Sequence, residues 1–144
     1  MKLFVDTNIF VSVIETSHGA EEARKVLNKN IESDEEIELL TSYLNIIELR
    51  NVLMKKKHFS RENARRLIEW LIGEIDEVVS MSPDFQETNE IHKEKLMDAR
   101  DVIFYHIAVI CNAKFVSLER EIRHHGGFHP DDLIRKKTTK KSSE

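Results

Sequence analysis

The sequence predicts an α/β layer fold with a parallel sheet, because short apolar runs alternate with segments of helical periodicity. The apolar runs read as short buried strands: KLFV (2–5), IELLT (37–41), EVVSM (77–81) and KFVSL (114–118). Each run is separated from the next by enough residues for at least one helix. The connections are therefore crossovers, which bring successive strands back in the same direction.

The segments between the strands supply the crossover helices, because they carry apolar residues at three-to-four spacing. These segments are 20–30, 43–57, 61–75, 83–96 and 99–112. Ser60 is a suitable N-cap for the third helix and Pro83 suits the first turn of the fourth. Asp98 is expected to cap the helix that begins at Ala99.

Composition predicts one domain, residues 1–134, followed by a basic tail, 135–144, that we expect to be disordered. The chain has 144 residues, 40% of them apolar, which is enough for one core. Lys and Arg total 22 against 26 Asp and Glu, a net charge of -4. This balance is unlike that of a histone-like or membrane-binding protein, so any basic surface must be local.

Cysteine usage and hydropathy indicate a cytoplasmic protein. Cys111 is the only cysteine in the sequence, so no intrachain disulfide can form and a reducing compartment is expected. The apolar start of the chain is interrupted by Asp6 and Asn8, and no apolar stretch approaches about 18 residues. We therefore expect a protein that is neither exported nor membrane-spanning, with no membrane partner.

Four acidic residues are predicted to meet where the parallel strands end. Asp6 follows the first strand directly, although a buried, unpaired carboxylate is costly. Glu48 lies at the edge of the apolar face of helix 43–57, Asp101 lies in the first turn of helix 99–112, and Glu119 follows the fourth strand. Because functional sites of such sheets gather at the carboxyl ends of the strands, we expect the four on one rim.

This acidic rim predicts a site for a hard divalent cation. Taken singly, Glu48 could border a helix face, Asp101 could interact with the helix dipole, and Glu119 could be a surface residue. Together, the four carboxylates would repel one another unless a cation binds between them. Oxygen ligands without a nearby His or Cys favour Mg²⁺ or Mn²⁺, which support attack on a phosphodiester.

Three segments, in order and spacing, resemble the PIN domain family, many of whose small prokaryotic members are VapC-type toxins. They are FVDTNIF at the start, TSYLNIIELRNVL (41–53) and RDVIFYHIAVICNAKFVSLEREI (100–122), and the resemblance covers nearly the whole chain. It implies a PIN-like three-layer α/β fold with a central parallel sheet of four to five strands flanked by helices. It also implies a metal-dependent endoribonuclease acting on single-stranded or structured RNA.

The resemblance assigns roles to residues of this chain. The family's catalytic and metal-binding acids correspond to Asp6, Glu48 and Asp101. Family members usually carry a TxDxD segment after the fourth strand, where this chain has SLERE, with Glu119 and Glu121 at the acidic positions. Glu119 is therefore expected to add a ligand to the same or a second ion, although its extra methylene displaces the carboxylate. Glu121 is expected near the metal or the substrate.

The remaining predicted site residues are polar neighbours of these acids. Asn8 and Ser117, with Thr7, are expected to orient water or phosphate oxygens, and Arg100 to contact the phosphate. The family's habit, and the apolar residues around Trp70 that spread over more than one helix face, lead us to expect a homodimer or a complex with a cognate antitoxin. Most of these apolar residues are expected to pack in the core.

Two other segments have an ordinary and a functional interpretation. The basic residues of MKKKHFSRENARR (54–66), with the tail, could grip an RNA backbone or form a solvated helix hairpin. The segment HHGGFH (124–129) offers three histidines, but a polar glycine-containing loop explains it better than a zinc site, which would need a fourth ligand.

Three functions follow from these patterns. The first is a metal-dependent ribonuclease, the toxin of a toxin–antitoxin pair. The second is a catalytically weakened PIN-like domain that binds RNA or protein. The third, a phosphatase of the haloacid dehalogenase type, also places an Asp after its first strand, but it needs a second acid two positions later. Asn8 occupies that position here, which disfavours the third interpretation.

Overall fold

The computed structural model describes residues 1–81, 83–95 and 99–134, and its centre is a parallel β-sheet. The strands are β1 (Lys2–Val5), β2 (Glu38–Ser42), β3 (Glu77–Val79) and β4 (Lys114–Val116). Within the described residues the sheet has four strands in the order β3-β2-β1-β4. Phe4 lies opposite Leu40 on one side and Phe115 on the other. All four carboxyl ends therefore lie at one edge of the sheet.

Helices lie between successive strands and form the crossover connections of the parallel sheet. They are α1 (Thr7–Glu15), α2 (Ala20–Leu27), α3 (Tyr43–Asn51), α4 (Arg61–Glu74), α5 (Phe85–Lys95) and α6 (Ala99–Ile110). A π-helical turn, Val52–Lys56, extends α3, and two 3₁₀ turns, Arg120–His125 and Pro130–Asp132, follow β4.

The helices form layers on both faces of the sheet, as the sequence predicts. Side chains alternate along each strand, so Leu3 and Val5 face one core and Phe4 faces the other. The first core contains apolar residues of α1, α2, α3 and α4, and the second contains those of α6. The fold is thus a three-layer α/β arrangement around a parallel sheet, which confirms the predicted class.

The helix boundaries confirm one predicted cap and correct two predicted ends. The Oγ of Ser60 accepts a hydrogen bond from the Asn63 N–H at 3.1 Å, as expected of an N-cap. The helix predicted for 20–30 is α2, which ends at Leu27 because Lys29 has a left-handed backbone with φ of 59°. The helix predicted for 83–96 is α5, which begins at Phe85 rather than 83. Asp84 caps it by accepting from the Glu87 N–H at 3.0 Å.

The helix α1 is the element that the sequence patterns do not predict. Its sequence, TNIFVSVIE, is too continuously apolar to show helical periodicity. Because α1 follows β1 after a single residue, Asp6 lies between a strand end and a helix N-terminus. Among the described residues, no helix is long and apolar enough to cross a membrane. The expected cap Asp98 and the basic tail 135–144 lie outside the described residues.

Candidate active site

A cavity of about 420 Å³ opens at the carboxyl edge of the sheet, between α1, α3 and α6. The four acids predicted to share one rim all line it: Asp6, Glu48, Asp101 and Glu119. They come from β1, α3, α6 and the loop after β4, four elements that only the folded sheet brings together. Thr7 and Asn8 also line this cavity, which we call the acidic cavity.

Asp6 is the most deeply buried acid of the acidic cavity, with 5% of its surface exposed. Its Oδ1 accepts from the Thr7 N–H at 2.8 Å and its Oδ2 from the Ser117 hydroxyl at 3.0 Å. Burial, followed by the negative charge of Asp101, raises the pKa of Asp6 to about 7, and Glu48 adds to this rise. The two hydrogen bonds lower the pKa but are outweighed. Asp6 therefore has an environment that disfavours its charge when no cation is present.

Ser117 and Asn8 hold Asp6 and the loop after β4 in position. The Ser117 Oγ donates to Asp6 and accepts from the Asn8 Nδ2 at 2.8 Å and from the Glu119 N–H at 3.3 Å. The Asn8 Oδ1 accepts from the Leu118 N–H at 3.1 Å. These bonds connect α1 to the segment that carries Glu119. The side chains of Ser117 and Asn8 therefore fix the position of that segment relative to Asp6.

A second set of buried polar groups, which the sequence analysis missed, supports Thr7. The Asn45 Nδ2 donates to the Thr7 Oγ1 at 3.1 Å, and the Asn45 Oδ1 accepts from both the N–H and the hydroxyl of Ser42. Ser42 and Asn45 are fully buried. The signal that could have revealed them is the S-x-x-N spacing directly after β2, which forms a capping box at the start of α3.

The other predicted residues differ in position. Glu48 and Asp101 are half-buried in the acidic cavity, whereas Glu119 is exposed at its mouth. Glu121 is exposed in the 3₁₀ turn after β4 and does not line the acidic cavity. Arg100 belongs to α6, but its side chain lies outside the described part of the structure.

Positive charge reaches the acidic cavity from the end of α3. Lys56 and Lys57 both line it. Lys57 forms an ion pair with Glu15 at 2.9 Å, while Lys56 forms no ion pair with any residue that the structure describes. Further along the basic segment, Arg65 is already bound to Glu62 and to Glu69, the latter at 2.6 Å. Lys56 is therefore the cation of this segment that is best placed to meet an anion at the cavity.

The donor set of the acidic cavity fits a hard divalent cation. Within residues 1–81, 83–95 and 99–134, no three His, Cys, Asp or Glu side chains are already arranged around a common metal position. Mg²⁺ usually keeps several waters and is bound through one or two carboxylates, so it does not need such a cage. Burial and then the negative charge of Asp101 raise the pKa of Asp6, and a bound cation would offset both effects.

Comparisons with known proteins give the family. The model of the PIN domain matches residues 3–127. The structure is similar to PAE2754 from Pyrobaculum aerophilum, with a TM-score of 0.62 and 16% identity over 92% of this chain and 91% of that one. It is also similar to a toxin–antitoxin complex from Klebsiella pneumoniae, with a TM-score of 0.62 and 20% identity over 90% and 98% of the two chains.

A third similar structure is VapC20 of Mycobacterium tuberculosis, described as a toxin that cleaves the sarcin-ricin loop. Its TM-score is 0.61 and its identity 10%, over 88% of this chain and 96% of that one. At these identities the solved structures show a shared fold. Among curated protein sequences, none matches the chain. The family model, which covers most of the chain, together with the fold and the acids at the sheet edge, shows that this protein belongs to the PIN domain family.

Proposed function

We propose that this protein is a metal-dependent endoribonuclease that hydrolyses RNA phosphodiester bonds, and that it is the toxin of a toxin–antitoxin pair. The observation that carries the proposal is Asp6, a buried carboxyl held beside Asp101 and Glu48 in an environment that disfavours its charge. Asp6 also caps α1, but capping a helix does not require an acid to be buried beside two other acids. Membership of the PIN domain family and similarity to toxin structures support the same activity.

The mechanism assigns each acid a task. Asp6, Glu48 and Asp101 would hold Mg²⁺ or Mn²⁺, directly or through water, and Glu119 would add a ligand from the mouth of the acidic cavity. When bound, the cation supplies charge neutralisation and activates water for in-line attack on the phosphodiester. Because the pKa of Asp6 is about 7, the Asp6 carboxyl gives up its proton as the cation binds near neutral pH.

Ser117, Asn8 and Thr7 position the acids of this site. The Ser117 hydroxyl and the Thr7 N–H fix the two oxygens of Asp6, so that its orientation does not depend on the cation. Lys56, at the rim, attracts the RNA backbone. For Arg100 the proposed role, a contact to the phosphate, rests on the sequence alone. Glu121 keeps a supporting role at the outer surface near the RNA.

The proposed partners are RNA, an antitoxin and a second copy of this chain. The proposed compartment is the cytoplasm. The similar complex from Klebsiella pneumoniae supports the antitoxin. The homodimer is supported by α4, which buries Ile68 and Leu71 in the core but leaves Trp70 52% exposed. An exposed Trp on a helix is a typical anchor of a protein interface.

A catalytically weakened PIN domain that binds RNA or protein is the second candidate. It is favoured by the loop after β4, where Glu119 is exposed at the mouth of the acidic cavity and Glu121 does not line it. A cation site that lacks these ligands would have fewer fixed contacts. The two candidates share the RNA surface and differ in whether the RNA is cut.

Cleavage of a mixed pool of RNAs tests the proposal. The wild type should cut with Mg²⁺ or Mn²⁺ and not with excess EDTA, and Asp6→Asn should abolish cutting. Asp34→Asn, the same change on an exposed loop, is the matched control and should cut like the wild type. A wild type that binds RNA without cutting it under any divalent ion would establish the binding-module function instead.

A further inference from the structure

A second, smaller cavity of about 180 Å³ adjoins the acidic cavity. Its polar lining consists of His18, Glu22, Arg120, His129 and Asp131. His18 and Leu118 line both cavities, so the two lie side by side. We call the smaller one the side cavity. A nucleotide chain whose phosphate lies among the acids could place an adjoining nucleotide there.

His129 gives the side cavity a buried donor. The residue is 5% exposed, and its Nδ1 accepts from the Asp131 N–H at 3.1 Å. Burial lowers the pKa of His129, which favours the neutral ring with its hydrogen on Nε2. No group in the described part of the chain hydrogen-bonds to this Nε2. A ring N–H of a largely buried residue that lines a cavity, with no protein acceptor, is suited to donate to a ligand.

The charges around the side cavity argue against a phosphate and for a nucleobase. Arg120 and His129 supply donors, but Asp131 lies 3.7 Å from Arg120, and Glu22 lines the same space. The two carboxylates would repel an anion. Donors and acceptors side by side match the edge of an uncharged base, which is how unpaired RNA bases are recognised.

Guanine matches this lining best among the four bases. Its O6 and N7 accept hydrogen bonds, for which Arg is the most frequent partner, and its N1–H and N2 amino group donate to a carboxylate. Uracil presents a single N–H donor on its pairing edge, and adenine and cytosine present a single amino group each. A lining with three basic side chains, among them His18, and two carboxylates therefore leaves fewer groups unpaired with guanine than with the other three bases.

We propose that the side cavity binds the guanine base of a nucleotide next to the phosphate that is cut, so that Arg120, His129 and Asp131 set the sequence preference of the enzyme. This inference rests on the proposed ribonuclease function. Arg120 and His129 donate to the acceptor atoms of the base, and Asp131 accepts from its N–H groups. The HHGGFH segment then contributes a base-binding residue, His129, rather than metal ligands.

Sequencing the fragments cut from a randomised RNA by the full chain with Mg²⁺ tests the proposal. The wild type should enrich guanine at one fixed position next to the cut. Arg120→Gln and His129→Asn should reduce that enrichment at least about tenfold while still cutting. The Asn in place of His129 can accept from the Asp131 N–H, so the 3₁₀ cap survives. His124→Asn, an exposed position in the same segment that does not line the side cavity, should leave the preference unchanged.

Binding of mononucleotides separates this proposal from the ribonuclease function. GMP should shift the His129 imidazole resonances in NMR spectra of the wild type recorded without metal, and AMP, CMP and UMP should not. Cutting without a guanine preference, or with a preference that both variants keep, would overturn the proposed guanine site. The ribonuclease function would then stand without it. If no RNA is cut but GMP shifts His129, the base site holds and the ribonuclease falls. If no RNA is cut and GMP does not shift the His129 resonances, both the guanine site and the ribonuclease function are wrong.

Discussion

Asp6 is subject to opposing effects whose balance explains why a carboxyl ends β1. Two hydrogen bonds favour its ionised form, while burial and the nearby acids disfavour it. Because the pKa of Asp6 is raised to about 7, the disfavouring effects prevail. Burial is the largest cause of this rise, and the charges of Asp101 and Glu48 add to it. Asp6 therefore destabilises the metal-free protein at neutral pH, which is typical of functional sites.

Replacing Asp6 by Asn tests this balance. The variant removes a charge, keeps the size of the side chain and retains an oxygen that can accept from the Thr7 N–H. We expect the metal-free variant at pH 8 to be about 1–3 kcal/mol more stable than the wild type in urea unfolding, because repulsion and desolvation are relieved. A purely structural acceptor would predict a loss of about 1–3 kcal/mol. The Asp34→Asn control should change little, since that residue is exposed.

The pH dependence of stability follows from the same shift. Between the unfolded pKa of Asp, about 4, and the folded value, about 7, the native state binds more protons than the unfolded state. The stability of the metal-free protein should therefore fall as pH rises through this window, by up to roughly 4 kcal/mol from this group.

Mg²⁺ should reverse this fall, because it replaces the proton. The Mg²⁺-induced rise in melting temperature should be larger at pH 8 than at pH 5.5, and it should be smaller in Asp6→Asn at both. Differential scanning fluorimetry with and without Mg²⁺ measures both effects. An equal Mg²⁺ effect in wild type and Asp6→Asn would show that the ion binds elsewhere.

Ser117 is the residue on which the geometry around Asp6 depends. Ser117→Ala removes the donor to Asp6 and leaves the half-buried Asn8 amide without its acceptor. We expect a loss of about 1–3 kcal/mol in the free energy of unfolding and a higher pKa for Asp6, because a bond that lowers it is lost. The optimum of cleavage should accordingly move to higher pH. Ser33→Ala, in the exposed loop before β2, is a control that should keep the wild-type optimum.

At the scale of elements, regular patterns were predictable and tertiary contacts were not. All four strands were predicted along the chain, because short apolar runs bounded by helical segments leave few alternatives, whereas their order in the sheet was not predicted. The helix α1 was missed since Ile9 and Phe10 are fully buried beside half-buried neighbours, which erases the periodic pattern. The hydrogen bond from Asn45 to Thr7 joins residues 38 positions apart, so no local pattern contains it.

In the candidate site, too, the residues placed by the sheet were predictable, and the features that depend on irregular turns and burial were not. The topology of the sheet was sufficient to bring Asp6, Glu48, Asp101 and Glu119 to one cavity, because each follows or faces a strand end. The position of Glu121 depends on the 3₁₀ turn after β4, whose course is not encoded by periodicity. The raised pKa of Asp6 likewise depends on burial, which appears only in the folded chain.

The π-helical turn at the end of α3 makes a separate prediction, because it determines which lysine reaches the acidic cavity. Lys56 lines that cavity, whereas Lys55 lines a neighbouring apolar groove only. Lys56→Gln should weaken binding of a single-stranded RNA and reduce the slope of log affinity against log salt by about 0.7. Lys55→Gln is the matched control, with the same loss of charge one residue away. Equal effects of the two variants would mean that the lysines act only through net charge.

The whole molecule combines an acidic cavity with apolar surface that its own core leaves uncovered. In α4, Ile68 and Leu71 pack inside while Trp70 remains 52% exposed, so the predicted division of these residues between core and surface holds. Other exposed apolar residues lie on α3 and α6, among them Val109, also 52% exposed. Exposure of this size on several helices is typical of proteins that bind partners.

The proposed homodimer can be tested at the face that carries Trp70. We expect light scattering to give twice the mass of the 144-residue chain at micromolar concentration, and Trp70→Arg to raise the dissociation constant by about 30-fold or more. Val109→Arg introduces the same side chain at a residue of equal exposure on α6, so it controls for added charge. Dissociation by Val109→Arg alone would move the interface to α6. A wild type that stays monomeric up to millimolar concentration would show that Trp70 is left for a different partner, of which the antitoxin is the proposed one.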